Sequence, residues 1–504
     1  MPAPDESPEL LTTGVVGLDD ILRGGLPADC VYMLSGTPGA GKTTLALQFL
    51  LEGARAGESC LYVTLSETRS EIEKVARSHG WDLSGITICE LIPSEGNLST
   101  DSQLTVFAPS EFELGETTRA MIAEVDRCNP KRIALDSLSE LRLVAQSSLR
   151  YRRQILALKQ FFAGRDCTVL MLDDCTGAAA DDQLESIAHG VVSLEQLVNR
   201  FGAERRRLRV VKLRGVPYRG GFHDFNIRKG GLEVFPRIVA SEHHVDFQEE
   251  EFPSNLQGLD SLLCGGLPAG TSTLLLGPAG AGKSTISSLF AVAAAERGRR
   301  AAFFIFDENL GTFRTRSRKL SIDIERHLDA GRLTIKQIDP AELSSGEFAS
   351  VIRAAVEGAD GSGPAKLVVI DSLNGYLNAM PEEKFLTAQL HELLTYLGQQ
   401  GVVTLMTVTQ SGMVGTPTAP VDMSYLADNV ILFRYFEALG QVCRAVSVVK
   451  KRSGKHESTI RQLEITEQGL VIGEPLKNFH GVLTGVPTFV GKQDDLLRKD
   501  GDAG

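Results

Sequence analysis

Two stretches of the chain carry the residue types of a phosphate site. Gly36, Thr37, Pro38, Gly39, Ala40, Gly41, Lys42, Thr43 and Thr44 form one. Gly277, Pro278, Ala279, Gly280, Ala281, Gly282, Lys283, Ser284 and Thr285 form the other. Both fit G-x-x-x-x-G-K-[ST]. Glycines let the backbone curl with its N–H groups facing an anion. The lysine reaches the β- and γ-phosphates, and the hydroxyl of Thr43 or Ser284 can ligate Mg²⁺. A Gly-rich turn with a lysine can arise by chance. Here each loop follows a short apolar run, VYMLSG or STLLLG, suited to a buried strand, and TLALQFLLEGARAG after the first loop reads as a helix. Both loops read as nucleotide sites.

An acid at the tip of an apolar strand is the usual second half of such a site, where it holds the metal shell. Asp136 in RIALDSL and Asp371 in LVVIDSL fit that role, each followed by serine. Alone, either would read equally well as a turn residue; their matching places downstream of two phosphate loops favour the metal. Phosphoryl transfer also needs a carboxylate to orient or deprotonate the attacking group. Glu67, and Asp307 with Glu308, end strands that neighbour the loops in sequence order; the bland alternative is a capping or exposed acid. Glu308 is preferred to Asp307 because it matches Glu67. On late strands, Lys212-Leu213-Arg214 is echoed by Lys450-Lys451-Arg452. Residues two apart on a strand share a face, so Lys and Arg project together. A solvated face would look the same, but the repetition points to a common role, that of reaching a neighbouring subunit's triphosphate as an arginine finger does. The run Glu204-Arg205-Arg206-Arg207 reads as a subunit-facing or solvated surface.

What positions these residues is a duplicated domain. Lys42 and Lys283 lie 241 positions apart (283 − 42), as do GLDDILRGGLP and GLDSLLCGGLP, which begin at Gly17 and Gly258, and Glu67 and Glu308. A period that long implies two whole domains, each with its own core. Continuous apolar strands (CLYVTLSE, RIALDSL, CTVLMLDD) alternate with helical stretches, one from Ser70 to His79 stopped by Gly80. That pattern means a parallel sheet covered on both faces. After about Gly190, strands such as RLRVVKLRG and GLEVF follow without helices, as antiparallel edge strands do. The expected organisation is a disordered lead-in at 1–10, a first domain at 11–240, a polar linker at 241–252, a second domain at 253–475 and a surface tail at 476–504.

The chain has 504 residues, 42% hydrophobic and 23% charged, with a net charge of −12, the profile of a soluble globular protein. The acidic balance argues against nucleic acid as the main partner and so against a RecA-like DNA-dependent ATPase. Eight cysteines without a CxxC pair read as reduced thiols, and the histidines do not cluster at metal-ligand spacing. No run approaches a membrane span, and MPAPDESPEL is unlike a signal peptide. The expectation is a cytoplasmic protein.

With these motifs assembled, the chain resembles the KaiC family of two-domain RecA-superfamily ATPases, known from the cyanobacterial circadian clock. The resemblance covers nearly the whole chain. It rests on the paired GLDxxxxGGLP and phosphate loops, Ser66-Glu67-Thr68 and Asp307-Glu308-Asn309, the LDS and IDS strand tips, GWDL, KLRG and KKRSGKH, and NFHGVLTGVPTF near the C-terminus. It implies an α/β fold of tandem RecA-like P-loop NTPase domains, each a mainly parallel, doubly wound sheet with antiparallel edge strands. It implies a homohexamer of stacked rings with ATP and Mg²⁺ between subunits. The first ring would be mainly an ATPase, the second adding serine/threonine autokinase and autophosphatase activity. A KaiB-like protein or a histidine kinase would be the further partner. Lys212, Arg214, Lys450, Arg452 and His456 match positions that approach the neighbour's nucleotide, with Tyr218 in place of the histidine in the first copy. The family's adjacent phosphoacceptors fall on Ser424 and Tyr425. Tyrosine departs from the usual threonine, and its longer phenol changes the attack geometry. Ser66 stands where the family usually has a first carboxylate. The remaining alternative is an ATP-assembled signalling scaffold without autokinase activity.

Overall fold

The computed structural model describes residues 8–91, 109–145, 147–174, 185–198, 202–378, 386–410, 424–438, 440–466, 469–484 and 488–490. The chain divides into two compact units, Met1–Arg237 and Ile238–Gly504. The polar stretch expected to join two domains begins inside the second unit. Ile238 and Ala240 are buried in that unit's core, and His243 meets the Tyr396 ring edge-on.

In the first unit the central strand is β1 (Val31–Gly36), buried along its whole length. Its alternate side chains enter two different cores, Tyr32 and Leu34 on one face and Val31 and Met33 on the other. A strand apolar at every position needs that double cover. Helix α1 (Lys42–Arg55) rises directly from the phosphate loop. The turn into it is made at Gly41, φ 101°, where a β-carbon would be strained and would also meet Ile227 Cδ1 at 2.7 Å. Strand β2 (Cys60–Thr64) leads to α2 (Arg69–His79). Thr68 and Glu71 form a reciprocal capping box at its start, and Gly80 in the left-handed region ends it.

The chain continues through β3 (Ile86–Glu90), α3 (Pro109–Cys128), β4 (Arg132–Asp136), α4 (Leu138–Ala145), α5 (Ser148–Phe162) and β5 (Thr168–Asp174). Last come β6 (Gly190–Leu197), β7 (Arg205–Leu213), β8 (His223–Arg228) and β9 (Gly231–Phe235). Among the described residues the sheet order is β9-β8-β7-β6-β1-β5-β4-β2-β3. The six strands from β6 to β3 in that order run parallel, and β7 to β9 add on antiparallel.

The second unit repeats the plan with β10 (Ser272–Gly277), α6 (Lys283–Glu296), β11 (Arg300–Ile305), α7 (Leu310–Lys319), β12 (Leu333–Gln337), α8 (Ser345–Glu357) and β13 (Ala365–Asp371). It continues with α9 (Leu373–Asn378), α10 (Leu386–Gln399), β14 (Val403–Thr409), β15 (Asn429–Ala438), β16 (Gln441–Lys451), β17 (Arg461–Thr466) and β18 (Gly469–Pro475). The order β18-β17-β16-β15-β10-β14-β13-β11-β12 is that of the first sheet, strand for strand. Within the segment expected to be a surface tail, 479–480 pairs with 488–489. Phe479 packs on Phe436, and Val482 is buried beside it. No helix among the described residues is long and apolar enough to cross a membrane.

Two candidate ATP sites

In the first unit the parallel sheet brings the tips of β1, β4, β5 and β2 to one edge, where crevices of doubly wound sheets bind ligands. Lys42, buried at the start of α1, donates to the carbonyls of Gly36 (2.9 Å) and Thr37 (3.0 Å) and lies 2.7 Å from Asp174 Oδ1. Thr43 Oγ1 donates to Asp136 Oδ2 at 2.8 Å, which sets the expected metal-shell hydroxyl and carboxylate side by side. The Tyr62 hydroxyl donates to the same carboxylate oxygen at 2.5 Å. Burial pushes the Asp136 carboxyl up in spite of these two donors. A hard cation beside a hydroxyl and a carboxylate, completed by phosphate oxygens and water, suits Mg²⁺, and these residues fit it. Glu67 is half-buried, and its Oε2 is enclosed without a hydrogen-bond partner. Burial, then the Asp136 charge, raises its carboxyl above the usual range. An enclosed carboxylate oxygen with unused acceptor capacity is what positioning a water requires.

In the second unit Lys283 donates to Gly277 O (2.9 Å) and Pro278 O (2.7 Å). Burial pushes its ammonium down to about 8. Asp371 Oδ1 accepts from Thr407 Oγ1 at 2.5 Å, and Asp307 accepts from Ser372 Oγ. Glu308 is bonded to Arg316 Nη2 at 2.8 Å. Burial raises the Glu308 carboxyl, and the Arg316 charge pulls against it. A cavity of about 1190 Å³ runs from the loop past Glu308 and Arg316 to Lys319 and Ile465. Clefts of ~300–1,000 Å³ serve most small ligands, so a whole nucleotide has room.

The two late strands match down to an irregularity. Lys212 lies opposite Val191 and Lys450 opposite Val430, and in each pair one extra residue bulges out of the strand just before the lysine. Lys212 Nζ donates to Glu185 O (2.5 Å) and Arg214 to Ser186 O (3.1 Å). Lys450 Nζ donates to Ser424 O (2.8 Å) and Ala427 O (2.7 Å), and Arg452 to Tyr425 O (3.3 Å) and Asp428 Oδ1 (3.3 Å). The Lys-x-Arg strand therefore grips the turn carrying Ser424 and Tyr425, and Tyr425 is 55% exposed. His456 follows the same strand and is partly buried. None of these residues is held to its own chain's phosphate loop by the contacts above. Asp428, which closes the turn, bonds Ser272 at the first residue of β10, whereas Lys283 bonds Gly277 at its last. The six-residue strand puts roughly 17 Å between the two ends.

A family model described as "ATPase: KaiC" matches residues 11–238 and 252–477, nearly all of both units. The chain belongs to the KaiC family of ATPases. It is 27% identical to the circadian clock oscillator protein KaiC of Acaryochloris marina over 502 residues, 97% of this chain and 93% of that one. The same protein of Thermosynechococcus vestitus is 27% identical over 492 residues, covering 95% and 92%. The circadian clock protein KaiC3 of Synechocystis sp. is 25% identical over 497 residues, 96% of each. Membership supports ATP as the ligand of both loops and hydrolysis of ATP as the basic activity.

Sequence reasoning passed over several residues that the fold brings to the sites. Tyr62 and Thr407 are donors inside strands with no motif around them. Arg316 lies two helical turns beyond Glu308, on α7. Asp174 had a usable signal: it and Thr409 are 235 positions apart (409 − 174), the spacing of Asp136 and Asp371, so an acid occupies in one copy what a neutral residue occupies in the other.

Proposed function

We propose that the chain is a homohexameric ring ATPase whose second domain also transfers the γ-phosphoryl group of ATP to Ser424 of a neighbouring copy, so that it acts as an ATP-driven, clock-type signalling regulator. The observation that carries this reading is the separation along β10. Ser424 and the Lys450–Arg452 strand sit at one end and their own phosphate loop at the other, so the nucleotide they serve belongs to another copy.

In the first site, Lys42 neutralises the β- and γ-phosphates, and Glu67 takes the proton of the attacking water as its oxygen bonds to the γ-phosphorus. The bond from that phosphorus to the β–γ bridging oxygen breaks, leaving ADP and phosphate. Thr43 with Asp136, and Ser284 with Asp371, would hold Mg²⁺, which supplies charge neutralisation to the phosphate oxygens. In the second site the attacking group is the Ser424 hydroxyl, and Glu308, with Asp307 beside it, accepts its proton. Lys212, Arg214, Lys450, Arg452 and His456 face the neighbour's nucleotide. Tyr425 presents a second hydroxyl on the same turn, with a longer reach. A histidine kinase or a KaiB-like protein would read the phosphorylation state.

Incubation with Mg·ATP followed by phosphosite mapping tests the reading. Phosphate on Ser424 that disappears in Lys283→Ala, while ADP formation continues, is the expected result. ADP without phosphoserine in the unsubstituted protein would overturn the autokinase and leave an ATP-assembled scaffold.

A further inference from the structure

We propose that Asp174 stands in for the γ-phosphate in the first site, holding Lys42 while the site is empty and biasing the filled site away from ATP and toward ADP. The inference rests on the reading of both loops as adenine-nucleotide sites and concerns how the two differ. Asp174 is the last residue of β5 and lies in register with Gly36, the first residue of the phosphate loop. Its Oδ1 is 2.7 Å from Lys42 Nζ, the group that must neutralise the β- and γ-phosphates. Its Oδ2 accepts from Ser139 Oγ at 2.8 Å, and Ser139 is in turn bonded to Ser137, next to Asp136. The carboxylate is thus anchored from the opposite side and does not follow the lysine when that swings to a ligand.

A diphosphate lets Lys42 span Asp174 and the β-phosphate, so the carboxylate keeps its counter-charge. A triphosphate draws the ammonium between β and γ and brings γ-oxygens beside a fixed carboxylate that has lost its partner. Like charges a few ångströms apart in a partly buried site are costly. Among the described residues the second site has no such acid on its lysine. Thr409 is in register with Gly277, and Lys283 is held by the Gly277 and Pro278 carbonyls. Two loops of one motif therefore have two ligand preferences, with the first site leaning toward product and the second toward the triphosphate.

The test uses the full chain with Lys283→Ala to silence the second site, titrated with fluorescent N-methylanthraniloyl ATP and ADP in Mg²⁺. Adding Asp174→Asn should tighten ATP about tenfold more than ADP. In the converse chain, Lys42→Ala with Thr409→Asp, the second site should lose ATP relative to ADP by a similar factor. Equal changes for the two nucleotides in Asp174→Asn would overturn the proposal. Should that variant lose cooperative unfolding, Thr409→Asp decides alone, and an unchanged ATP-to-ADP ratio there overturns it. If the Lys283→Ala parent bound neither nucleotide, the reading of the first loop as a nucleotide site would fail instead.

Discussion

Replacing Lys450 by methionine keeps most of the side chain's length and apolar stem while removing the ammonium that donates to Ser424 O and Ala427 O. Hydrogen bonds from a charged donor contribute about 1.5–3 kcal/mol each. The lysine is only partly buried, so solvent takes up much of that loss, and the pair together stabilises the turn by about 2 kcal/mol. At 1.4 kcal/mol per decade that is a roughly 30-fold rise in local opening. Hydrogen exchange reads it directly at two amides the turn protects: Asp428, bonded to Ser272 O, and Arg452, bonded to Asp428 O. Ser424 needs its hydroxyl placed to within about an ångström for in-line attack, so phosphoserine formation should slow by about 10²-fold. Exchange at both amides and the rate of Ser424 labelling are measured on the same preparation. Unchanged protection at both amides together with an unchanged labelling rate would refute the reasoning.

Three other outcomes are expected. Glu67→Gln should cut first-site hydrolysis by about 10²–10⁴-fold with nucleotide affinity preserved, seen as ADP release in a Lys283→Ala chain. Burial depresses the Lys283 ammonium to about 8 from 10.5 in the unfolded chain. Between those values the unfolded chain binds more protons, so the lysine's contribution to the stability of the nucleotide-free second unit rises from pH 8 to 10.5. ATP favours the charged form, so binding there should take up a proton at about pH 8.5, measured by calorimetry in buffers of different ionisation enthalpy and absent in Lys283→Met. Arg132, 2% exposed, donates to Glu58 Oε2 (2.5 Å), Thr12 O (2.6 Å) and Phe49 O (3.1 Å). Arg132→Met leaves these acceptors uncompensated and should destabilise the first unit by about 3–5 kcal/mol in urea unfolding.

The duplication was readable because its parts are local. A loop, the strand before it and the helix after it occupy a short contiguous stretch, and the glycines at 41 and 282 declare their backbone. The strand-tip acids and the Gly80 stop belong to the same class, whereas the Thr68 capping box, which starts that helix at Arg69 and not Ser70, went unread. Contacts that depend on register were hidden. Tyr62 reaches Asp136 only because β2 lies beside β4, and Asp174 reaches Lys42 only because β5 is the strand between β4 and β1. The polar run after 241 read as a linker because its few apolar residues have no period. His243 of that run nevertheless finds a partner in the second unit, as do Ile238 and Ala240, the last residues of the expected first domain, a tertiary choice with no local signal. Phe479 and Val482 illustrate the same point at the other end of that unit.

Passage of the phosphoryl group from one copy to another is the step on which the proposed function stands. Lys283→Ala chains keep the acceptor but lack the donor site, and Ser424→Ala chains keep the donor site but lack the acceptor. The two are mixed with Mg·ATP, one of them isotopically labelled, and Ser424 is followed by mass spectrometry. Phosphoserine is expected on Lys283→Ala chains in the mixture and not on those chains alone. Mixed assemblies that bind ATP yet leave Ser424 of the Lys283→Ala chains unmodified, under conditions where the unsubstituted protein is labelled, would contradict it.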